Sequence, residues 1–455
     1  MNLHRLLQER ATSDKPLRVG LIGAGKFGTM FLAQARQMPG VHLLGVADLA
    51  PERASESLRR IGYPAEQIAA RSLGEAVDKG TTWVGEDASA LLAHSALDIA
   101  IEATGIPAAG TAHAFEAIAH GKHIIMVNVE ADVLVGPLLA RRAREAGVVY
   151  SLAYGDQPAL IAEQVDWARA CGLEVIAAGK GTKYLPAYHT STPETVWEHY
   201  GLTSEEARQG GMNPQMFNSF LDGTKSAIEM AAVANATGLS PAPGGLSFPP
   251  CGVDDLASVL RPAAEGGILH HKGQVEVVSS LERDGRPVFR DLRWGVYVVF
   301  EAPTDYVQRC FAEYGLVTDS SGHYSALYRP YHLIGLELGI SVASVGLRNE
   351  STGQPTGWRG DAVATSKRDL KPGETLDGEG GFTVWGRLLP AEESLRGSAL
   401  PIGLAHHIQV TRAIRAGDIL TYHDVAVDES SECFRVRREM ERTFADANPA
   451  DLPAA

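Results

Sequence analysis

Cysteine is scarce in this chain and scattered. Cys171, Cys251, Cys310 and Cys433 lie far apart and form no CxxC or Cys/His spacing, so the common zinc modules are excluded. Free thiols in a reducing compartment are expected. Long apolar runs are also missing. No segment approaches the roughly 20 continuous apolar residues of a membrane helix. The stretch Met1 to Pro16 is polar and mixed in charge, without the apolar centre of a secretory signal. A cytoplasmic protein without membrane attachment is expected. Positive charge is in deficit. A net charge of −14 argues against a nucleic acid or an anionic membrane as partner. It leaves room for an anionic small molecule, because a local cluster of lysines can dominate one pocket. Neither a Gly-x-Ser-x-Gly elbow nor a His-Glu-x-x-His motif is present.

What is present is a chain of 455 residues with 45% hydrophobic and 21% charged residues. That composition fits a globular protein, and the length calls for two or three domains. The most informative run is Arg18-Val-Gly-Leu-Ile-Gly-Ala-Gly-Lys-Phe-Gly28. A strand-like apolar stretch leads directly into Gly23-x-Gly25-x-x-Gly28. A helical segment, Thr29 to Gln37, follows, and a second apolar strand, Val41 to Ala47, ends at Asp48. Asp48 lies about twenty residues past Gly28, the spacing of a dinucleotide-binding βαβ unit. Gly23 permits the tight turn, Gly25 lets backbone approach a diphosphate, and Gly28 allows close helix–sheet packing. The helix N-terminus offers unpaired amides to the phosphates. Asp48 is placed to accept hydrogen bonds from the adenosine ribose.

Strand and helix go on alternating. Asp98 to Gly105 reads as a strand and a turn, Ala108 to His120 as a helix, and His123 to Asn128 as a strand. Val135 to Ala146 reads as a helix and Val148 to Ala153 as a strand. Such alternation implies a parallel sheet covered on both faces. Ligands then bind beyond the strand C-termini, which selects Asp48, Thr104, Gly105, Asn128, Glu130 and Asp156. Coenzyme contacts are expected from Gly23, Gly25, Lys26, Phe27, Gly28, Asp48, Thr104, Gly105 and Asn128.

The expected fold class is α/β: a Rossmann-type parallel sheet domain over 17–160, then an α+β substrate domain over 161–350, then a small β-rich module with a tail over 351–455. Residues 1–16 read as a short amphipathic helix or a leader outside the core. Within the second domain, Leu173 to Ala178 reads as a strand followed by a Gly179–Lys183 loop, and Phe217 to Thr237 as one helix. Gln274 to Ser280 and Leu292 to Phe300 resemble paired strands joined through an Asp284-Gly285 turn. Tyr331 to Val345 is apolar and helix-like, able to return to the first domain. Asn349 to Gly360 has the composition of a linker. Beyond it is an internal echo: Arg368-Asp-Leu-Lys-Pro-Gly-Glu-Thr-Leu376 matches Arg412-Ala-Ile-Arg-Ala-Gly-Asp-Ile-Leu420. Two copies suggest a pseudo-symmetric module. The chain after Glu432 reads as a charged helix with a frayed end.

Three clusters carry potential chemistry. Gly179-Lys180-Gly181-Thr182-Lys183 is not a Walker loop, but its two lysines can grip a phosphate or carboxylate, or else lie on a solvated turn. Asp222, Lys225 and Glu229 share one face if helical. An acid beside a lysine can orient a carbonyl or relay a proton, or it can be an ordinary surface ion pair. Asn128-Val-Glu130-Ala-Asp132 follows a strand end, where acids serve a pocket or cap a helix.

The nucleotide half resembles homoserine dehydrogenase in its glycine motif, in Ile101-Glu-Ala-Thr-Gly105 and in Gly121-Lys-His-Ile-Ile125 leading to Asn128. It departs where Val129 replaces that family's lysine. The echoing module is similar to a SAF (β-clip) domain. The combination resembles the deoxyxylulose phosphate reductoisomerase-like proteins through its Asn128–Asp132, Gly179–Lys183 and Ser219–Lys225 runs. The resemblance implies NADPH-dependent conversion of 1-deoxy-D-xylulose 5-phosphate to 2-C-methyl-D-erythritol 4-phosphate, in isoprenoid precursor synthesis, with Mg²⁺ or Mn²⁺. NADP(H) is favoured by this resemblance, while Asp48 favours NAD(H), with Arg53 near enough to compensate. Lys180 and Lys183 are then the phosphate contacts, Asp222 and Lys225 the reacting end, and Glu130 an aid to the cation. A homo-oligomer is expected. Two alternatives stand beside this one: a dehydrogenase of another small hydroxy acid, sugar acid or polyol, and a non-catalytic nucleotide or sugar-acid sensor.

Overall fold

The structure, a computed structural model, describes residues 2–445, so the expected frayed end lies outside the described residues. The chain divides into two units. One comprises residues up to Leu160 together with Leu333–Pro355, and the other comprises Ile161–His332 together with the chain from Thr356 onward.

In the first unit six strands form one sheet: β1 (Leu17–Ile22), β2 (Val41–Ala47), β3 (Trp83–Gly85), β4 (Ile99–Glu102), β5 (His123–Met126) and β6 (Tyr150–Leu152). Their order is β3-β2-β1-β4-β5-β6, and every neighbouring pair is parallel. Parallel neighbours require crossovers, which helices Lys26–Ala35, Pro107–Ala119 and Val129–Glu145 supply. With helices on both faces, β1 buries Val19, Leu21 and Ile22 alike instead of alternating. The winding direction reverses between β1 and β4, so a crevice opens past Ile22 and Glu102.

Local chemistry moves some boundaries. The helix expected from Val135 begins at Val129, because the Asn128 side chain accepts the Ala131 amide at 3.1 Å and caps it. Residues Leu3–Thr12 form an amphipathic helix whose Leu3 and Leu7 are buried in the unit's core. Helix Gly339–Arg348 sends Val342, Ala343 and Val345 into the same core. The expected linker over 349–360 is tied down instead. Leu152 N donates to Gly353 O at 2.7 Å and Thr352 Oγ1 to Leu152 O at 2.8 Å, covering the edge strand β6.

The second unit is built on β7 (Glu174–Thr182), β8 (Gln274–Ser279), β9 (Val296–Glu301) and β10 (Tyr324–Arg329), in the order β10-β9-β7-β8. β7 is parallel to β8 and antiparallel to β9. The hairpin expected between β8 and β9 is therefore not formed. The Asp284-Gly285 turn exists, with Gly285 N donating to Glu282 O at 2.9 Å, but β7 occupies the place between the two strands. A turn signal reports the local chain only, and an earlier segment took the central position. β7 also extends through Thr182, so most of the expected Gly179–Lys183 loop is strand. Its glycines serve close approach: a Cβ at Gly179 would overlap Glu276 O, and one at Gly181 would overlap Leu292 O.

The single helix expected over 217–237 is two, Pro214–Leu221 and Thr224–Thr237. The break is Asp222-Gly223, where Gly223 has φ +96° and Asp222 Oδ1 accepts Thr224 N at 2.8 Å. Helix Thr224–Thr237 packs against β11 (Gly360–Ser366) and β13 (Val384–Pro390), which pair antiparallel; β12 (Thr375–Asp377) and β14 (His406–Gln409) pair likewise. The internal echo has a structural counterpart. Leu370 and Ile414, equivalent positions of the two copies, exchange backbone hydrogen bonds of 2.9 and 3.0 Å. Gly373 N donates to Val410 O at 2.8 Å, and by the same chain shift Gly417 N donates to Ser366 O at 2.9 Å. The copies are thus related by a local pseudo-twofold. Helix Glu432–Ala445 closes the unit through fully buried Arg437, whose guanidinium grips Asp361 at 2.6 and 3.1 Å and Glu441 at 2.9 Å.

Candidate functional site

In the first unit the three motif glycines differ in what requires them. Gly23 turns at φ +94°, and a Cβ there would come within 2.7 Å of Ala103 O. A Cβ at Gly28 would overlap Gly23 O. The protein's own packing accounts for both. At Gly25 nothing lies within 4 Å of such a Cβ, so no protein atom needs that glycine. It opens the N-terminus of helix Lys26–Ala35, which has no side-chain cap. An uncapped helix end behind a bare glycine is a cradle for a diphosphate. The residues present therefore fit a dinucleotide. Lys26 is exposed at this end and Phe27 half-buried.

Asp48 stands at the end of β2. Its Oδ2 accepts Ala24 N at 2.7 Å and its Oδ1 accepts Ala50 N at 2.9 Å, with Arg53 Nη2 at 3.9 Å. The carboxylate thus braces the glycine loop and keeps lone pairs for a ribose hydroxyl. Past β4, Thr104 Oγ1 donates to buried Glu102 at 2.5 Å, and Gly105 turns at φ +69° with open space around it. Asn128 donates to Ile106 O at 3.0 Å and to Thr104 Oγ1 at 3.3 Å. Its amide is spent on holding the loops past β4 and β5 together. Glu130 is half-buried in the first turn after it. Asp132, two residues on, is fully buried and accepts from the Tyr150 hydroxyl at 2.8 Å; burial pushes its carboxyl up to about 7, against the pull of that hydrogen bond. Asp156 Oδ1 accepts Gln157 N at 2.8 Å and so opens helix Gln157–Ala170.

In the second unit the candidate lysines are engaged. Lys180 Nζ pairs with the Glu229 carboxylate, and both side chains are buried. Lys183 Nζ donates to His199 O and lies 5.7 Å from the Tyr200 ring centroid. Burial, with Arg293 nearby, lowers the pKa of Lys183. Asp222 does not pair along its own helix. Lys367 Nζ stands 2.8 Å from its Oδ2 and donates at 2.7 Å to both Ser191 O and Gly381 O. Burial raises the Asp222 carboxyl, while Lys367 and Thr224 oppose the shift. Lys225 is half-buried on the turn that Asp222 caps. The structure therefore separates Asp222, Lys225 and Glu229 into different partnerships. Lys367 was not legible in the sequence: it precedes the echo with no motif around it. Among the described residues, no group of three or more His, Cys, Asp or Glu is placed to hold a metal ion. Likewise, no helix there is long and apolar enough to cross a membrane.

Residues 155–338 match the family described as "Oxidoreductase DRL, catalytic domain". No curated protein matches the chain. Similar solved structures include an NAD binding oxidoreductase from Klebsiella pneumoniae, at 19% identity over 39% of this chain and 47% of that one, TM-score 0.28. Another is biliverdin reductase from Synechocystis, crystallised with biliverdin and NADP⁺, at 19% identity over 37% and 48%, TM-score 0.23. A third is myo-inositol dehydrogenase from Lactobacillus casei, in complex with NAD(H) and myo-inositol, at 15% identity over 40% and 50%, TM-score 0.28. The chain thus spans about half the length of each. The middle of the chain thus matches an oxidoreductase catalytic domain, and the first unit sets an uncapped glycine turn on a sheet of order β3-β2-β1-β4-β5-β6.

Proposed function

We propose that the protein reduces a small phosphorylated carbonyl compound, as a reductoisomerase converting 1-deoxy-D-xylulose 5-phosphate to 2-C-methyl-D-erythritol 4-phosphate. The observation that carries this reading is the match of residues 155–338 to the DRL catalytic domain, joined to the motif resemblance over Ser219–Lys225. A reduced nicotinamide, when bound, would supply a hydride to the aldehyde carbon of the rearranged skeleton. The chain must hold the coenzyme, orient the carbonyl and deliver a proton to its oxygen. Gly23, Gly25, Gly28 and the first turn of Lys26–Ala35 bind the diphosphate, Asp48 takes the ribose, and Lys26, Phe27, Thr104, Gly105 and Asn128 line the rest. NADP(H) is the coenzyme by resemblance, and Asp48 lets NAD(H) compete.

Lys225 is the proton donor of this scheme: it is half-buried, stands on the turn that Asp222 caps, and closes the Ser219–Lys225 run that carries the resemblance. Asp222 acts through it as a positioning residue: its carboxylate, fixed by Lys367, caps the turn that presents Lys225. Lys183, whose partner is an uncharged carbonyl, furnishes positive potential toward a phosphate, and Lys180 does so only to the extent that Glu229 leaves it unmatched. Glu130 remains the side chain proposed nearest a cation, but among the described residues no group of three or more His, Cys, Asp or Glu is placed to hold one, and no step of the scheme runs through a metal. The SAF identity of the pseudo-twofold module, homo-oligomeric assembly and the cytoplasmic setting belong to the same proposal.

One observation favours a second reading. Lys180 and Lys183 already hold Glu229 and His199 O, which suits a dehydrogenase of an unphosphorylated hydroxy acid, sugar acid or polyol. The test incubates purified protein with NADPH or NADH and deoxyxylulose phosphate, with and without Mg²⁺ or Mn²⁺, following coenzyme oxidation. Oxidation with formation of the branched polyol phosphate is expected. Silence with both coenzymes, beside turnover of an unphosphorylated substrate, overturns the first reading in favour of the second.

A further inference from the structure

The second unit contains a cavity of about 260 Å³ that the proposed turnover does not use. Its walls include the rings of His189, Phe248 and Trp385, with Arg387 as its one charged side chain. The helix Thr224–Thr237 contributes Gly223 and Ala227 from its first turn. The cavity is a built one, with Phe248, His189 and Arg387 each held by polar contacts. The Glu276 carboxylate, fully buried, accepts the amides of Ser247 at 3.1 Å and Phe248 at 3.3 Å and the Ser247 hydroxyl at 2.7 Å. This clamp holds Phe248 at φ +50°, stacked 4.0 Å from the Tyr184 ring. The Tyr184 hydroxyl lies 3.0 Å from His189 Nε2, and His189 Nδ1 lies 2.7 Å from Asp222 O. A carbonyl only accepts, so Nδ1 carries the hydrogen and Nε2 accepts from the tyrosine. His189 then stacks 3.8 Å from Trp385.

The charge count is simple. Burial pushes His189 toward its neutral form. No carboxylate lines the cavity, and the nearby Asp222 is matched by Lys367. Arg387 spends Nε and Nη2 on Gly244 O, at 3.2 and 2.8 Å, and among the described residues its Nη1 has no partner. One guanidinium and one helix N-terminus therefore line a half-open aromatic space. Together they balance about one negative charge. A second charge, as on a phosphate dianion, would find no cationic partner among the lining side chains.

We propose that this cavity is a binding site for a small organic carboxylate with a flat apolar body, its anionic end on Arg387 Nη1 and its body against the rings of Phe248 and Trp385. The site goes beyond the oxidoreductase reading and is tested apart from it, since none of its lining residues is given a part in the proposed turnover.

Benzoate is the probe, benzamide its neutral control and inorganic phosphate the alternative anion, each titrated into the full-length protein by calorimetry. Benzoate is expected to bind saturably, at least about tenfold more tightly than benzamide, with phosphate failing to compete. Arg387→Gln keeps a donor for Gly244 O and removes the charge; it should abolish the preference for benzoate over benzamide. Absence of benzoate binding to the unaltered protein, equal affinity for benzamide, or displacement by phosphate would overturn the proposal. So would an Arg387→Gln protein that still prefers benzoate. Coenzyme turnover measured on the same samples reports separately on the catalytic reading.

Discussion

Lys367 Nζ stands 2.8 Å from Asp222 Oδ2 with both side chains buried, so the β-rich module supplies the cation that holds the break between helices Pro214–Leu221 and Thr224–Thr237. Removing one partner leaves the other charge or its carbonyl contacts unmatched. Lys367→Met should destabilise the protein by about 3–5 kcal/mol, and the Lys367→Met/Asp222→Asn pair by clearly less than the two single changes summed. Denaturant titration of the four proteins measures this. Strictly additive losses would show that the two groups do not act as a pair.

The motif glycines should separate by assay. Gly25→Ala meets no protein atom and has an ordinary φ of −67°, so it should leave thermal stability unchanged while weakening coenzyme binding. Gly28→Ala collides with Gly23 O and should lower the melting temperature whether or not coenzyme is present. Thermal melts and coenzyme titrations on the two variants decide. Equal coenzyme affinity for Gly25→Ala and the parent would remove the diphosphate from this loop.

The buried Asp132 makes stability depend on pH. Its carboxyl is raised from 3.8 to about 7 in the folded protein, so folding retains a proton that the unfolded chain releases. Its contribution is fully present below about pH 4 and is lost as pH rises toward 7. The amount is about 4 kcal/mol for such a shift. Asp132→Asn keeps an acceptor for Tyr150 and should flatten the slope between those pH values. A parallel slope in parent and variant would assign the dependence to other groups.

Lys225 should divide chemistry from binding. Lys225→Ala is expected to lower kcat by about a hundredfold or more, the scale of a lost proton donor, with coenzyme affinity retained. Steady-state kinetics with a coenzyme titration gives both numbers. Unchanged kcat and KM would move Lys225 out of the reacting end.

The first unit was legible because its signals are local. A strand, three glycines, a helix and a distant acid lie within one short stretch, and Gly23, Gly28 and Asp48 do what such a stretch requires. The echo of Arg368–Leu376 in Arg412–Leu420 was legible as repetition, although its reciprocal Leu370–Ile414 bonds were not. The second unit defeated local reading at specific points. The Asp284-Gly285 turn gave no hint that β7 would part β8 from β9, and the Gly179–Lys183 glycines looked like a loop when they serve strand packing.

Residue order along the chain determined the glycine turn and the helix it opens, the alternation of strand and helix, and the duplicated module, since each depends on neighbours a few positions apart. Tertiary structure alone decided the ionic partners: Lys180 with Glu229, Asp222 with Lys367, Arg437 with Asp361. A buried charge must be matched by whichever opposite charge the packing brings within reach, and distance along the chain says nothing of which that is.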